Sequence, residues 1–204
     1  MRTGWPVALA DGDVRLRGLT RHDGRTWLAL RASNAGWLDR WEASSPVPVP
    51  GPPPSFAQFV RQLSRQARAG TALPFAVDHE ERLVGQLTVS GIAYGSLRSA
   101  TIGYWVSQHV AGRGIIPTAV ALATDHCFGA LGLHRVEINV RPENAASLRV
   151  VEKLGFRDEG VRVRYLHIAG EWCDHRTFAL TAEEVPEGLL TRWKVTRSAS
   201  SAPE

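Results

Sequence analysis

The sequence predicts a mixed α/β fold built on one central sheet, mostly antiparallel, with a single parallel pair. Three observations predict it. Apolar and polar residues alternate with the period of a strand over residues 13–19, 74–92, 99–107, 134–140 and 156–180. Capped helical patterns fall between several of these runs. A strand, a glycine loop, a helix and a strand follow one another over residues 99–140, the order of one parallel crossover.

The elements follow in order. Val14, Leu16 and Gly18 alternate with Asp13, Arg15 and Arg17 in a first strand. Thr20 caps the helical stretch that follows, with Asp23 in its first turn. Trp27, Leu28, Leu30 and Arg31 continue it, Asn34 and Gly36 interrupt it, and "WLDRWE" (37–42) makes a second, short helical piece. "SSPVPVPGPPPS" (44–55) holds half the prolines of the chain and excludes helix and paired strand. It is a stiff loop, and its role as a connector or as a wall beside a site stays open. Ser55 and Gln58 have capping-box spacing, and Gly70 suits a C-cap, so a helix spans the residues between. Two strands around the turn Asp78–Arg82 come next, then the strand at 99–107. A helix running to Gly132, the strand at 134–140, a helix from "ENAAS" to Gly155 and a hairpin across Ala169-Gly170 complete the pattern. Residues 1–182 are expected to form one domain. Residues 183–204 lose periodicity and are expected to be a partly disordered tail.

Composition narrows the function classes. The 204 residues carry 24 basic and 20 acidic side chains, a net charge of +4. The charges are interspersed, unlike the concentrated stripe of a nucleic-acid binder, so no direct nucleic-acid contact is expected. Cys127 and Cys173 form neither a disulfide framework nor a zinc set, and no metal is expected. No signal-peptide core or membrane-length apolar run occurs, so the expected location is cytoplasmic.

The stretch "YWVSQHVAGRGIIPTAV" (104–120) is the chemical centre of the sequence. A dinucleotide fingerprint fails because Pro117 stands where a third small residue is needed. A P-loop fails because no Gly-Lys-Ser/Thr follows. What remains is physical. Gly112 and Gly114 let successive amides converge on an anion, and a helix starting near Thr118 adds its positive end. Arg113 and His109 stand at the rim. A tight turn that binds nothing is the plain alternative on the loop alone.

"HVAGRG" resembles the Q/R-x-x-G-x-G/A loop of the GNAT N-acetyltransferases, with His109 in place of the usual Gln or Arg. "IGYWV" before it and "RPENAASLRVVEKLGFRDEG" (141–160) after it are similar to the RimJ/RimL-type branch. "VRLRGLTRHD", "WLDRWEASSP" and "GEWCDH" also resemble that branch and lie closer to RimJ. The resemblance covers residues 13 to 180. It implies a GNAT fold whose sheet splays where the parallel strands part, with acetyl-CoA in the V as acyl donor.

The resemblance also implies roles. Trp105 and Val106 pair with the pantetheine arm, and the Val106 amide faces the oxyanion. The amides of Ala111 through Ile115 hold the pyrophosphate, with His109, Arg113 and Thr118 beside them. Ser147 serves the leaving thiol and Asn144 holds the pantetheine arm, with N-capping as the alternative for both. Trp37, Trp41 and Tyr104 are the acceptor-side candidates. The general base is unassigned. Thr101 stands where many relatives carry Glu, Leu166 where RimL-like proteins do, and His167, Glu137, Asp174 and His175 are the substitutes in view. The implied acceptor is an α-amine at a protein N-terminus, such as a ribosomal protein beginning with alanine. A small-molecule amine acceptor, or a non-catalytic acyl-CoA-binding or ribosome-assembly module, remains open. Either a monomer or a homodimer is compatible with the sequence.

Overall fold

The structure, a computed structural model, describes residues 4–47 and 50–199. Eight strands form one sheet: β1 (Leu9–Asp11), β2 (Val14–Gly18), β3 (Leu73–His79), β4 (Arg82–Ala93), β5 (Ser99–Val106), β6 (Arg135–Val140), β7 (Arg157–Ile168) and β8 (Glu171–Thr181). Their spatial order is β1-β2-β3-β4-β5-β6-β8-β7. Every neighbouring pair is antiparallel except β5 and β6, the predicted parallel pair. That pair is short. Its register runs Ser99↔Arg135, Ala100↔Val136 and Thr101↔Glu137, and then the strands part. The remaining half of β5, through Tyr104, Trp105 and Val106, has no strand on that edge.

Six helices cover the sheet: α1 (Gly24–Ser33), α2 (Ala35–Leu38), α3 (Phe56–Ala69), α4 (Ile115–Gly129), α5 (Ala145–Leu154) and α6 (Leu189–Ala199). Helix α4 is buried on nearly every side from Ile115 to Thr124, as expected of a helix apolar all round. It packs against a core drawn from every strand but β1 and β7, including Leu16, Phe75, Leu87, Ile102, Val136 and Leu180. The opposite face is covered by α1 and α3, whose Trp27, Leu30, Phe56, Phe59 and Leu63 pack on Leu19, Ala76 and Leu83. The capping box at Ser55 forms as the spacing predicts. The Ser55 hydroxyl accepts from the Gln58 amide and the Gln58 side chain accepts from the Ser55 amide.

Three expectations are corrected. The chain from 183 does not simply fray, because α6 packs on α4 and α5 with Leu189 and Trp193 buried. Its cap is not local. The Asp125 carboxylate on α4 accepts from the Leu189 amide at 2.6 Å and the Leu190 amide at 3.0 Å. Residues 200–204 of the expected tail lie outside the described residues, as do Pro48 and Val49 of the proline loop. Secondly, β1 precedes the first expected strand, pairing Leu9 with Leu16. Thirdly, α4 starts at Ile115 and ends at Gly129, not near Thr118 and Gly132. Cys127 and Cys173 are buried free thiols, and burial pushes Cys127 up to about 12. Among the described residues no helix is long and apolar enough to cross a membrane.

Candidate active site

Where β5 and β6 part, a cavity of about 690 Å³ opens. The free end of β5, the glycine loop, the first turn of α5 and the α2 region wall it. Each wall has a local cause. At the loop, Gly112 and Gly114 have φ of 83° and 80°, a conformation that costs other residues free energy. The amides from Gly112 to Ile116 then meet no backbone acceptor, and Pro117 has no N–H to satisfy. A row of unpaired amides at a helix N-terminus is an anion site. The Ala111 amide does not belong to that row, because it donates to the Gln108 carbonyl. The predicted row therefore shifts by one residue at each end.

Several predicted site residues converge on the cavity: Trp37, Trp41, Tyr104, Trp105, Val106, Asn144 and Ser147, with Ala111, Gly112, Gly114 and Ile115 of the loop. The Ser107 amide donates to the Val84 carbonyl. Strand alternation therefore turns the Val106 amide and carbonyl to the open edge. There the Trp37 indole nitrogen donates to the Val106 carbonyl at 3.2 Å. Trp105 lies under Arg31, 5.3 Å from the ring centroid. Trp41 is flanked by Arg40 at 4.5 Å and Arg141 at 5.7 Å. Asn144 caps α5, its side-chain oxygen accepting from the Ser147 amide at 3.1 Å. It is both the cap of α5 and a residue of the cavity wall.

Other predicted residues stand outside the cavity. Thr118 is buried behind the loop. Its hydroxyl donates to the Gly114 carbonyl and accepts from the Trp193 indole. It buttresses the loop and has no lone donor to offer a phosphate. His109 points away and is bound through Nδ1 to the Ser107 hydroxyl at 2.8 Å. Arg113 reaches back to the His109 carbonyl at 3.3 Å. Neither side chain lines the cavity.

None of the four substitute bases lines it either. Glu137 is held by Arg135 and Arg162. Asp174 accepts from the Arg164 amide. His167 bonds Ser44. His175 is buried, and that burial holds its pKa below the usual imidazole range, leaving it neutral at pH 7. Its Nδ1 faces the Cys173 carbonyl at 3.1 Å. A carbonyl can only accept, so Nδ1 carries the hydrogen and Nε2 keeps its lone pair.

Sequence reasoning missed the carboxylates that do line the cavity. These are Glu42, paired with Arg31, and Glu143, paired with Arg141. It also missed Asn34, 5% exposed, which donates to the Ser107 hydroxyl and accepts from the Gln108 amide, both at 2.8 Å. Asn34 appeared in the sequence only as a helix interruption. Besides its local bond to the Leu30 carbonyl, it has these two partners more than seventy residues away, and no local pattern reports them.

A sheet splayed beside an unpaired row of amides, with a serine at the facing helix end, is the site of an acyl-CoA-dependent acyltransferase. The chain belongs to the GNAT acetyltransferases: the domain family described as "Acetyltransferase (GNAT) domain" matches residues 13–157. Mycobacterium smegmatis RimJ, solved in complex with CoA-disulfide, superposes with a TM-score of 0.88 and 37% identity. The match covers 95% of this chain and 96% of that one. The Bacillus subtilis protein YjcK is 31% identical over 170 residues, 82% of this chain and 93% of the relative. The ribosomal protein uS5-alanine N-acetyltransferase of Escherichia coli is 28% identical over 173 residues, 82% of this chain and 88% of the relative. The chain is an acetyl-CoA-dependent N-acetyltransferase of RimJ/RimL type.

The cavity fits the donor. The amides of Gly112 to Ile116 offer five unpaired donors to a pyrophosphate, and nothing lies within 4 Å of where a Gly112 Cβ would sit. Bound there, acetyl-CoA supplies an activated thioester. Val106, with its outward amide, and Ser147 both line the cavity that would hold it.

Proposed function

We propose that the acceptor is the α-amino group at a protein N-terminus, with alanine as the first residue. The observation that carries this reading is the shape of the acceptor side. Trp37 and Trp41 line the cavity, and the lining residues Gly36, Arg40, Glu143 and Arg149 are exposed. An extended chain can enter that cleft with its first residue deep and the rest outside. The likeness to RimJ over almost the whole chain, and to an alanine N-acetyltransferase acting on ribosomal protein uS5, supports the same acceptor class.

Charge weighs against the polyamine alternative. Arg31, Arg40, Arg149 and Lys153 line the cavity against two carboxylates, Glu42 and Glu143. Both carboxylates are already paired with an arginine, so the lining offers a polycation no free acidic partner. The backbone amide of Val106 stabilises the developing oxyanion, and the Ser147 hydroxyl hydrogen-bonds the departing thiolate. The acceptor needs no strong base, since an α-amine has a pKa of about 8 against about 10.4 for lysine.

The test is release of free CoA thiol from acetyl-CoA in the presence of peptides differing only at the first residue, with spermidine beside them. Turnover on the alanine-first peptide and none on spermidine supports the reading. Turnover on spermidine alone overturns it.

A further inference from the structure

The Tyr104 hydroxyl is a buried polar atom with no hydrogen-bond partner. Such an atom costs about 1–3 kcal/mol, so a fold keeps it only for a reason. It sits in the wall of the acyl-transfer cavity, on the same face of β5 as the core residues Ala100 and Ile102. The one polar side chain that bears on it is Ser147, which lines the same cavity from the first turn of α5. The two hydroxyls are neighbours without meeting hydrogen-bond geometry.

We infer that Tyr104 is a positioning residue for Ser147: with the donor bound, its phenol donates to the serine oxygen and thereby aims the serine hydrogen at the thioester sulfur. A free serine hydroxyl is rotationally undecided, because it both donates and accepts. A phenol is a better donor and a poorer acceptor than an aliphatic hydroxyl, so the pair favours donation from the phenol to the serine oxygen. Burial raises the Tyr104 pKa well above the usual phenol value, against the smaller pull of Ser147, so the group stays protonated at every working pH. The phenol therefore keeps its hydrogen to offer the serine oxygen when the two close, and the serine hydrogen is left for sulfur.

The step itself balances without proton transfer from either hydroxyl. The amine nitrogen bonds the carbonyl carbon, the carbon–sulfur bond breaks, and sulfur leaves with the electron pair. The Ser147 hydrogen bond stabilises that thiolate, which later takes its proton from water, while the amine proton is lost to water. Neither hydroxyl is acidic enough to give its proton to the departing thiolate, whose thiol is the stronger acid. This inference rests on the role proposed for Ser147, and its test separates the two.

The experiment compares binding of CoA and of desulfo-CoA by calorimetry at about pH 10, where a large share of the CoA thiol is ionised. The proteins are the wild type, Ser147→Ala, Tyr104→Phe and the double variant. Wild type should prefer CoA by about tenfold, the worth of one hydrogen bond to a charged acceptor. Ser147→Ala and Tyr104→Phe should each lose that preference, and the double variant should lose no more. Acetyl transfer should follow: a lower kcat in each single variant, an acetyl-CoA KM within about twofold, and no further loss in the double. The ligand-free melting temperature of Tyr104→Phe should be unchanged or higher, since a buried unsatisfied hydroxyl is removed.

If Ser147→Ala loses the preference and Tyr104→Phe keeps it, the inference is overturned and the serine's role stands. If Ser147→Ala keeps it, both fall. A melting temperature lower by about 5 °C or more in Tyr104→Phe would assign the phenol to the fold instead.

Discussion

The indole nitrogen of Trp37 donates to the carbonyl oxygen of Val106 at 3.2 Å. This bond ties helix α2 to the open edge of β5 at the residue whose own amide is proposed to face the substrate carbonyl. Replacing Trp37 by Phe keeps most of the apolar wall and removes the bond. A net hydrogen bond contributes about 0.5–1.5 kcal/mol, so kcat/KM should fall about three- to tenfold. Initial rates at low acceptor concentration measure it. Unchanged kcat/KM would mean the bond positions nothing that the reaction uses.

The loop is buttressed from behind by α6. Trp193 is 5% exposed, its indole donates to Thr118, and its ring lies 3.5 Å from where a Gly114 Cβ would be. Trp193→Ala should cost about 3–5 kcal/mol of stability, the range for truncating a buried large aromatic side chain. It should also weaken CoA, because the Gly114 turn loses its support. Urea unfolding and CoA titration report the two effects separately. Full CoA affinity in the variant would show that the loop holds its shape without α6.

His109 carries a different expectation. It is exposed, lies outside the cavity, and ends a chain in which Asn34 donates to Ser107 and Ser107 bonds His109. His109→Ala should change CoA affinity only modestly. A loss above about 100-fold, roughly 2.7 kcal/mol, would contradict binding through the backbone amides. Asn34→Ala should do more, because it strands the Gln108 amide at the entrance to the loop.

Acid stability follows from Arg17. Its guanidinium bridges Asp23 and Asp78 at 2.8 and 2.6 Å. Burial alone would raise the Asp23 pKa, but hydrogen bonds from Arg17 and Thr20 outweigh it and hold the carboxyl below its ordinary value. Glu159, bonded by Arg135 and Arg157, is lowered to about 2. A lowered carboxylate pKa contributes stability that is present above the unfolded value of about 4 and is lost as pH falls through the folded one. The urea midpoint should therefore drop between about pH 4.5 and pH 2, and Asp23→Asn should make the drop shallower. A midpoint flat down to pH 2.5 would contradict this.

Much of this was legible in the sequence because it is local. The Ser55–Gln58 capping box, the glycine pair 112/114 and the Asn144-Ser147 helix start all announce themselves within a few residues. The parallel β5–β6 pair followed from one strand-loop-helix-strand order. What stayed hidden is long-range. Helix α6 takes its cap from Asp125, sixty-four residues upstream, so its start carries no local signal. Thr118 looked like a phosphate ligand because a threonine near a glycine loop often is one. Its hydroxyl is instead claimed by Gly114 and by Trp193, seventy-five residues on. Tyr104 was grouped with the acceptor residues by its place in "IGYWV". Strand alternation puts it on the opposite face from Trp105, beside Ser147. Glu42 stands beside a long-range bridge from Ala43 to Ile168, a contact that no local pattern reports.

The central claim is transfer of acetyl to an N-terminal α-amine. The most direct measurement is mass-spectrometric mapping of the product from one peptide that begins with alanine and carries an internal lysine. The account predicts a single acetyl group on the alanine nitrogen, and none when that nitrogen is blocked in advance. Acetyl found on the lysine side chain, or continued turnover on the blocked peptide, would contradict it.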